Sequence, residues 1–237
     1  TAIWESIIYR RLNLIKKDVP IDMTEKPCRP FEGGYVKSPQ VGRHNWVVSF
    51  DLNSLYPNLI VQYNMSPETL VEDTQMNDVA YYLTGKSVSS TYSVAANGSS
   101  YRKDFDGVLP QIIEEYYDER VSVKKMQIAA QKEIQKGYSF ELDKEINTME
   151  NRQMAIKILL NSLYGALGNK HFAHFDVRLA EGVTLSGQLA IQWAEKAMNA
   201  AMNGILKTEK DYVIAIDTDS LYVNFGPLVD KLNPTNP

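Results

Sequence analysis

The chain has 237 residues, 44% of them hydrophobic and 23% charged, enough for one large or two small packed domains. Its formal charge of −4 argues against a nucleic-acid binder, which ordinarily leaves a basic footprint, although a site that gathers carboxylates for metal ions offsets that argument. The lone Cys28 permits no internal disulfide and fits a cytoplasmic setting, while the lack of any apolar run near the roughly 18 to 20 residues of a bilayer span, and of a signal peptide at Thr1–Glu5, excludes a membrane protein.

Apolar residues recur at helical spacing from Trp4 to Leu12 and at Ile15, predicting an amphipathic helix that Pro20 stops. Pro27, Pro30, Gly33 and Gly34 mark an irregular connector into Tyr35-Val36. Trp46–Asp51 then reads as a buried strand delivering Asp51 at its C-terminal end. Between Asp73 and Asp106 the pattern turns polar, and Tyr92–Val94 and Tyr101–Lys103 flank Asn97-Gly98, a pair suited to a type I′ hairpin turn. Pro110 sits in the first turn of a long helix running to about Lys136. A second runs from about Leu142 to Ala166, and the polar break Gln135–Ser139 makes the two an antiparallel helical hairpin projecting from the sheet. A third helix spans roughly Leu179 to Asn203, with Leu185, Leu189, Trp193 and Ala197 as its apolar stripe and Gly204 just past its end. Two strands, Tyr212–Ala215 and Leu221–Asn224, close on the turn Asp217-Thr218-Asp219, whose apolar flanks place the tip on a buried sheet edge. The fold class is α+β: a sheet with a helical hairpin inserted between its first strand and its last hairpin.

Three constellations carry chemistry. Asp51 precedes the turn Leu52–Tyr56-Pro57, where exposed backbone N–H groups can meet an anion and the carboxylate can bridge a hard cation to phosphate oxygens. Lys157, Asn161 and Tyr164 share one helical face with Gly165 beside the ring, a face able to hold a phosphate chain at one end and stack a base pair at the other. Arg120 and Lys124 form a cationic pair on the preceding helix and converge with Lys157 if the two helices pack antiparallel. Asp217 and Asp219 crowd two like charges on a hairpin tip, which a cation offsets. Each feature also has a plain structural alternative: Asp51 as a helix cap, the polar helix faces as solvated surface, and the hairpin tip as an ordinary Asp-containing turn. His171 and His174 lie three apart without a third ligand, and His44 is remote, so no zinc site is expected.

Taken together and in order, DLNSLYP (Asp51–Pro57), KILLNSLYG (Lys157–Gly165) and DTDS (Asp217–Ser220) resemble the DxxSLYP, KxxxNSxYG and DTDS signatures of the B-family DNA polymerases. Phe31–Val36 resembles the glycine-containing connector that precedes their palm, and Asn161–Asn169 is similar to the T-even phage branch. The resemblance implies an N-terminal helix and connector over 1–45, palm over 46–108 and 169–237, and fingers over 109–168. It implies template-directed addition of deoxynucleotides to a primer 3′-hydroxyl with two Mg²⁺ ions, replaceable by Mn²⁺, held by Asp51, the Leu52 carbonyl and Asp219 with Asp217 nearby. Arg120, Lys124, Lys157, Asn161 and the N–H groups around Ser54 and Leu55 would hold the triphosphate. Tyr56 would be the steric gate against a ribose 2′-hydroxyl, and Tyr164 with Gly165 would border the nascent base pair. Helix closure over a correct nucleotide would complete the site.

The resemblance departs at Ile216, where the family usually has glycine and where a β-branched side chain comes to a crowded turn. Ending at Pro237 and beginning at Thr1, the chain is expected to lack both the thumb that grips duplex DNA and an exonuclease. The implied partners are primer–template DNA, a deoxynucleoside triphosphate, a thumb-bearing second chain or C-terminal region, and possible separate exonuclease and sliding-clamp proteins, in host cytoplasm if the source is viral. Two rivals remain. A non-catalytic remnant serving as a DNA- or replisome-binding module would not need Asp51, Asp219 and Lys157 together, and a palm-type cyclase would share the carboxylates without needing Tyr56 or the Lys157–Tyr164 face.

Overall fold

The structure, a computed structural model, describes residues 1–16, 29–72, 78–86 and 91–233, so Pro20, Pro27, Cys28, Asp73 and Pro237 lie outside the described residues. Helix α1 (Ala2–Ile15) closes at Lys16, which is left-handed at φ 50 and returns its N–H to the Leu12 carbonyl. Trp4 and Ile8 bury its inner face, and Trp4 Nε1 donates to Ser162 Oγ at 2.9 Å, tying α1 to a helix far along the chain.

That helix is one arm of the expected hairpin. Helix α4 (Val108–Ile134) and helix α5 (Phe140–Leu167) pack antiparallel along most of their lengths. Arg152 pairs with Glu119 near the base and Gln127 donates to Glu150 further out. Ser139 caps α5 by accepting from the Leu142 N–H, and Glu141 and Asp143 in its first turn suit the positive end of the helix dipole. Leu160, Leu163 and Leu167 bury one side of α5 in the main core beside Leu109, Ile112 and Ile113 of α4. The opposite side of α5 is thereby left free to carry polar groups.

Four strands form the main sheet in the order β1-β6-β7-β2, every pair antiparallel: β1 (Val36–Lys37), β2 (Val47–Asp51), β6 (Val213–Asp217) and β7 (Ser220–Asn224). Strand alternation turns Ile216, Leu221 and Val223 down onto helix α6 (Val177–Leu206) and leaves Asp217, Tyr222 and Asp51 on the open face. The expected buried strand is corrected here, because every residue of β2 is exposed. It is an edge strand, and Val48 and Phe50, opposite Val223 and Leu221, overhang α6 and stay 42% and 41% exposed. The tip of the last hairpin is likewise not on a buried edge. Its strands are the two central ones, and Asp217 is exposed.

A second sheet, β3-β5-β4, comprises β3 (Leu70–Val71), β4 (Ser93–Val94) and β5 (Ser100–Tyr101). The hairpin around Asn97-Gly98 is present, but its turn is not type I′, which would need positive φ at both central residues. Only Gly98 (φ 81) is positive, the Gly98 N–H reaches the Ala95 carbonyl, and the Ala95 N–H reaches Ser99, as in a type I turn followed by a glycine bulge. Tertiary contacts choose this form: Ser186 Oγ accepts from the Ala96 N–H and Asn97 donates to the Arg178 carbonyl, so the tip is buried against α6.

Helix α6 also departs from its expected stripe. Its buried line is Val183, Gly187, Ile191 and Met202, whereas Trp193 is 51% exposed and Ala197 faces solvent. Small residues at 186 and 187 let neighbours approach the backbone, a role a search for bulky apolar residues misses. Gly204 lies inside the helix, and Lys207 (φ 59) ends it while Asn203 accepts from Thr208 and the Lys210 N–H. Helices α2 (Leu55–Tyr63), α3 (Val79–Leu83) and α7 (Gly226–Leu232) complete the described elements, and α3 and α7 have no counterpart among the expected ones. Among the described residues no helix is long and apolar enough to cross a membrane.

Candidate active site

Strand β2 ends at Asp51, and the N–H of the next residue, Leu52, donates to the Asp219 carbonyl at 2.7 Å, binding the strand end to the hairpin tip. Register places Asp51 opposite Ser220 in β7, and Asp217 opposite the same serine from β6. The Ser220 hydroxyl is 3.4 Å from a carboxylate oxygen of Asp51 and 3.4 Å from one of Asp219, so those two groups are at most twice that distance apart.

The tip itself is strained. The Asp219 N–H returns to the Asp217 carbonyl at 2.6 Å around Thr218, whose φ is 56. These are the marks of the rare γ-turn with positive φ at its centre, and threonine, being β-branched, is poorly suited to it. Two neighbours hold the turn. The Thr218 N–H donates to the Tyr35 carbonyl at 2.9 Å, and the Thr218 side chain lies on the bare backbone of Gly34, where a Cβ would stand 2.6 Å from Thr218 Oγ1. Strain concentrated at one carboxylate-bearing turn is characteristic of functional sites. Ile216 does not crowd this tip: alternation buries it to 1% exposure on the opposite face, among Ile191, Met202 and Leu221.

A cavity of about 370 Å³ opens beside the carboxylates. It is lined by Asp51, Asp219 and Thr218 from the end of β2 and the β6–β7 turn, and by Arg120, Lys157 and Asn161 from α4 and α5. Ser54, Leu55 and Tyr56 at the start of α2 line it as well, with Tyr164 against Tyr56. Asp51 does not cap α2. The cap position is Ser54, left-handed at φ 53, and α2 begins with neither a side-chain cap nor an acidic residue in its first turn. Its first N–H groups are therefore available to an anion in the cavity.

The antiparallel packing of α4 and α5 brings Arg120 and Lys157 to the same cavity, but not Lys124. One turn further along α4, Lys124 is exposed and lies off the cavity lining. Neither Arg120 nor Lys157 has a carboxylate partner among the described residues, and Arg120 Nε is buried with no hydrogen-bond partner. Leaving a buried guanidinium donor unmet costs stability, so its presence at a cavity wall points to an anionic ligand. Gly165 is exposed with open space where a side chain would be. Leu52 and Asp217 are not among the residues that line the cavity.

The aromatic pair is well defined. The rings of Tyr56 and Tyr164 have centroids 4.9 Å apart at 52°. Burial pushes the Tyr56 phenol up to about 12, with Tyr164 and the Asp219 charge adding to it, and burial also raises Tyr164. Both hydroxyls stay neutral near pH 7.

Two carboxylates side by side at an open cavity, with anion-binding groups lining the same cavity, are the oxygen donor set Mg²⁺ takes when phosphate and water complete its shell. Among the described residues there is no cluster of three or more His, Cys, Asp or Glu side chains placed to hold a metal ion by themselves. The donors therefore fit a hard cation that arrives with its phosphate. Sequence reasoning misses Gly34, Thr218 and Ser220 as supports of the tip. The double glycine at 33–34 and the position between the two aspartates are the signals that point to them.

Comparison with known proteins identifies the family. The profile of DNA polymerase family B matches residues 6–231. The chain is 34% identical to the DNA-directed DNA polymerase of Escherichia phage RB69 and 31% identical to that of Enterobacteria phage T4, in each case over 97% of this chain and 30% of the relative. It is 32% identical to DNA polymerase 1 of Pyrococcus abyssi over 81% of this chain and 21% of that protein. The chain thus spans under a third of the length of these relatives. With a family match running almost from end to end and phage relatives aligned over 97% of it, this chain belongs to DNA polymerase family B.

Proposed function

We propose that the chain is the nucleotidyl-transfer core of a template-directed DNA polymerase, with the sheet as palm and the α4–α5 hairpin as fingers. The observation that carries this reading is one cavity lined by Asp51 and Asp219 together with Arg120 and Lys157, cations that have no carboxylate partner among the described residues. Arg120 offers a planar fork and Lys157 a point charge to the triphosphate of an incoming deoxynucleotide, and Asn161 and the first N–H groups of α2 take its remaining oxygens. Tyr56 stands where it excludes a 2′-hydroxyl, and Tyr164 with Gly165 borders the base pair. Asp51 and Asp219, with the Leu52 carbonyl, would hold two Mg²⁺ ions, with Asp217 in the same turn as Asp219. Bound there, the ions would lower the pKa of the primer 3′-hydroxyl and neutralise charge on the departing pyrophosphate. The strained turn at Thr218 fixes Asp219 beside Asp51 before the ions arrive, so little reorganisation is left for the reaction.

Primer–template DNA is the second substrate. The acidic net charge of the chain supplies few cations to grip it, which supports a thumb-bearing polypeptide as partner. Mn²⁺ titration in the presence of a deoxynucleoside triphosphate tests the site: binding weakens strongly in Asp51→Asn/Asp219→Asn, and unchanged affinity would remove the two-metal reading.

A further inference from the structure

Glycine weakens a helix interior relative to alanine, so a glycine deep inside α6 needs a packing reason. At Gly204 a Cβ would meet nothing. At Gly187 it would stand 2.9 Å from Tyr56 Cε1 and 3.5 Å from Leu55 Cδ2. The Cδ1–Cε1 edge of the Tyr56 ring therefore rests directly on the α6 backbone, while Tyr56 also lines the cavity and packs on Tyr164 with ring centroids 4.9 Å apart.

We propose that Gly187 is a specificity-determining position, setting how far the Tyr56 ring stands into the nucleotide cavity and so how much room the sugar has. The inference rests on the polymerase reading above. Alanine at 187 forces the ring to move by at least 0.5 Å to reach an ordinary 3.4 Å contact. The helices cannot separate to absorb this, because Leu55 and Leu59 of α2 and Val183 and Ile191 of α6 are locked in the core at 8% exposure or less. An aromatic ring has no shorter rotamer to retreat into, and Tyr164 blocks the flank. The remaining direction is into the cavity that Tyr56 lines, the space that holds the nucleotide under the polymerase reading. Gly187 touches no substrate; it acts through Tyr56.

The test is single-nucleotide insertion by the thumb-complete polymerase, comparing wild type, Gly187→Ala, Tyr56→Ala and the double variant with deoxyribo- and ribonucleotides. Overpacking of this kind raises KM for the deoxynucleotide about tenfold in Gly187→Ala, and raises that for the ribonucleotide further, with kcat little changed. In the Tyr56→Ala background the same substitution shifts KM by less than about twofold, because the ring it pushes is gone. Where Gly187→Ala alone melts early, recovery of the melting temperature in the double variant supports the same contact. Equal losses in both backgrounds, or an unchanged KM in Gly187→Ala, would overturn the proposal while leaving the gate intact. A wild-type sugar ratio in Tyr56→Ala would instead remove the gate itself, and the proposal with it.

Discussion

Arg120→Met separates what the site needs from what the fold needs. Arg120 is half-buried, its Nε has no hydrogen-bond partner, and no carboxylate among the described residues compensates its charge. An unmet buried donor costs about 1–3 kcal/mol, and methionine fills a similar stem volume without one. Partial exposure of the guanidinium tempers the gain, so the ligand-free variant is expected to be more stable by about 1 kcal/mol, a rise of roughly 2–4 °C in Tm for a domain of this size. Nucleotide binding moves the other way. A charge-assisted contact to phosphate contributes about 1.5–3 kcal/mol, so affinity falls about 10- to 100-fold. Thermal melting with and without deoxynucleoside triphosphate and Mn²⁺ reads both signs at once, since ligand at free concentration L stabilises the folded state by RT ln(1 + L/Kd) and a weaker Kd gives a smaller rise in Tm. A lower ligand-free Tm in Arg120→Met, or a nucleotide-induced shift equal to that of wild type, would refute the reasoning.

Gly34→Ala places a methyl 2.6 Å from Thr218 Oγ1 and is expected to weaken Mn²⁺ binding at Asp219 and cost about 2 kcal/mol, with Thr218→Gly restoring both; loss that persists in the double variant would show that Gly34 acts elsewhere. The Tyr56 phenol, pushed from 10.0 up to about 12, binds its proton more tightly in the folded state. Its contribution to stability is therefore complete below pH 10 and lost as pH rises toward 12, and Tyr56→Phe should reduce, but not abolish, the fall of stability in that window, because Tyr63, Tyr101 and Tyr164 are raised as well. A thumb-bearing partner polypeptide should raise primer extension and duplex affinity together, because a loosely held 3′-hydroxyl forfeits positioning; equal rates with and without it would count against a split function.

Strong periodicity makes an element legible from its residues alone. Helices α4 and α5 fall within a few residues of their expected bounds, because long apolar stripes and the Gln135–Ser139 break dominate there. The strand-and-hairpin core is legible for the same reason. What the residues do not reveal depends on tertiary neighbours. Nothing local distinguishes an edge strand from a central one, so β2 reads as buried and the Asp217–Asp219 tip as an edge, the reverse of their places in the sheet. Bulk suggests burial and draws the α6 stripe through Trp193, whereas the contact with Tyr56 requires Gly187. Of the expected site residues, Arg120, Lys157 and Asn161 line one cavity with the carboxylates, and Lys124 falls a turn too far along its helix. The Asn97-Gly98 turn type is decided by Ser186 and Arg178, some ninety and eighty residues away in sequence.

The central claim is that Asp51 and Asp219 together hold the ions that drive nucleotide addition. It is tested most directly by Mg²⁺-dependent primer extension with the thumb-complete enzyme carrying Asp51→Asn or Asp219→Asn. The account predicts extension at background for either variant, while circular dichroism and duplex binding match wild type. Extension that continues at the wild-type rate in either variant would contradict it.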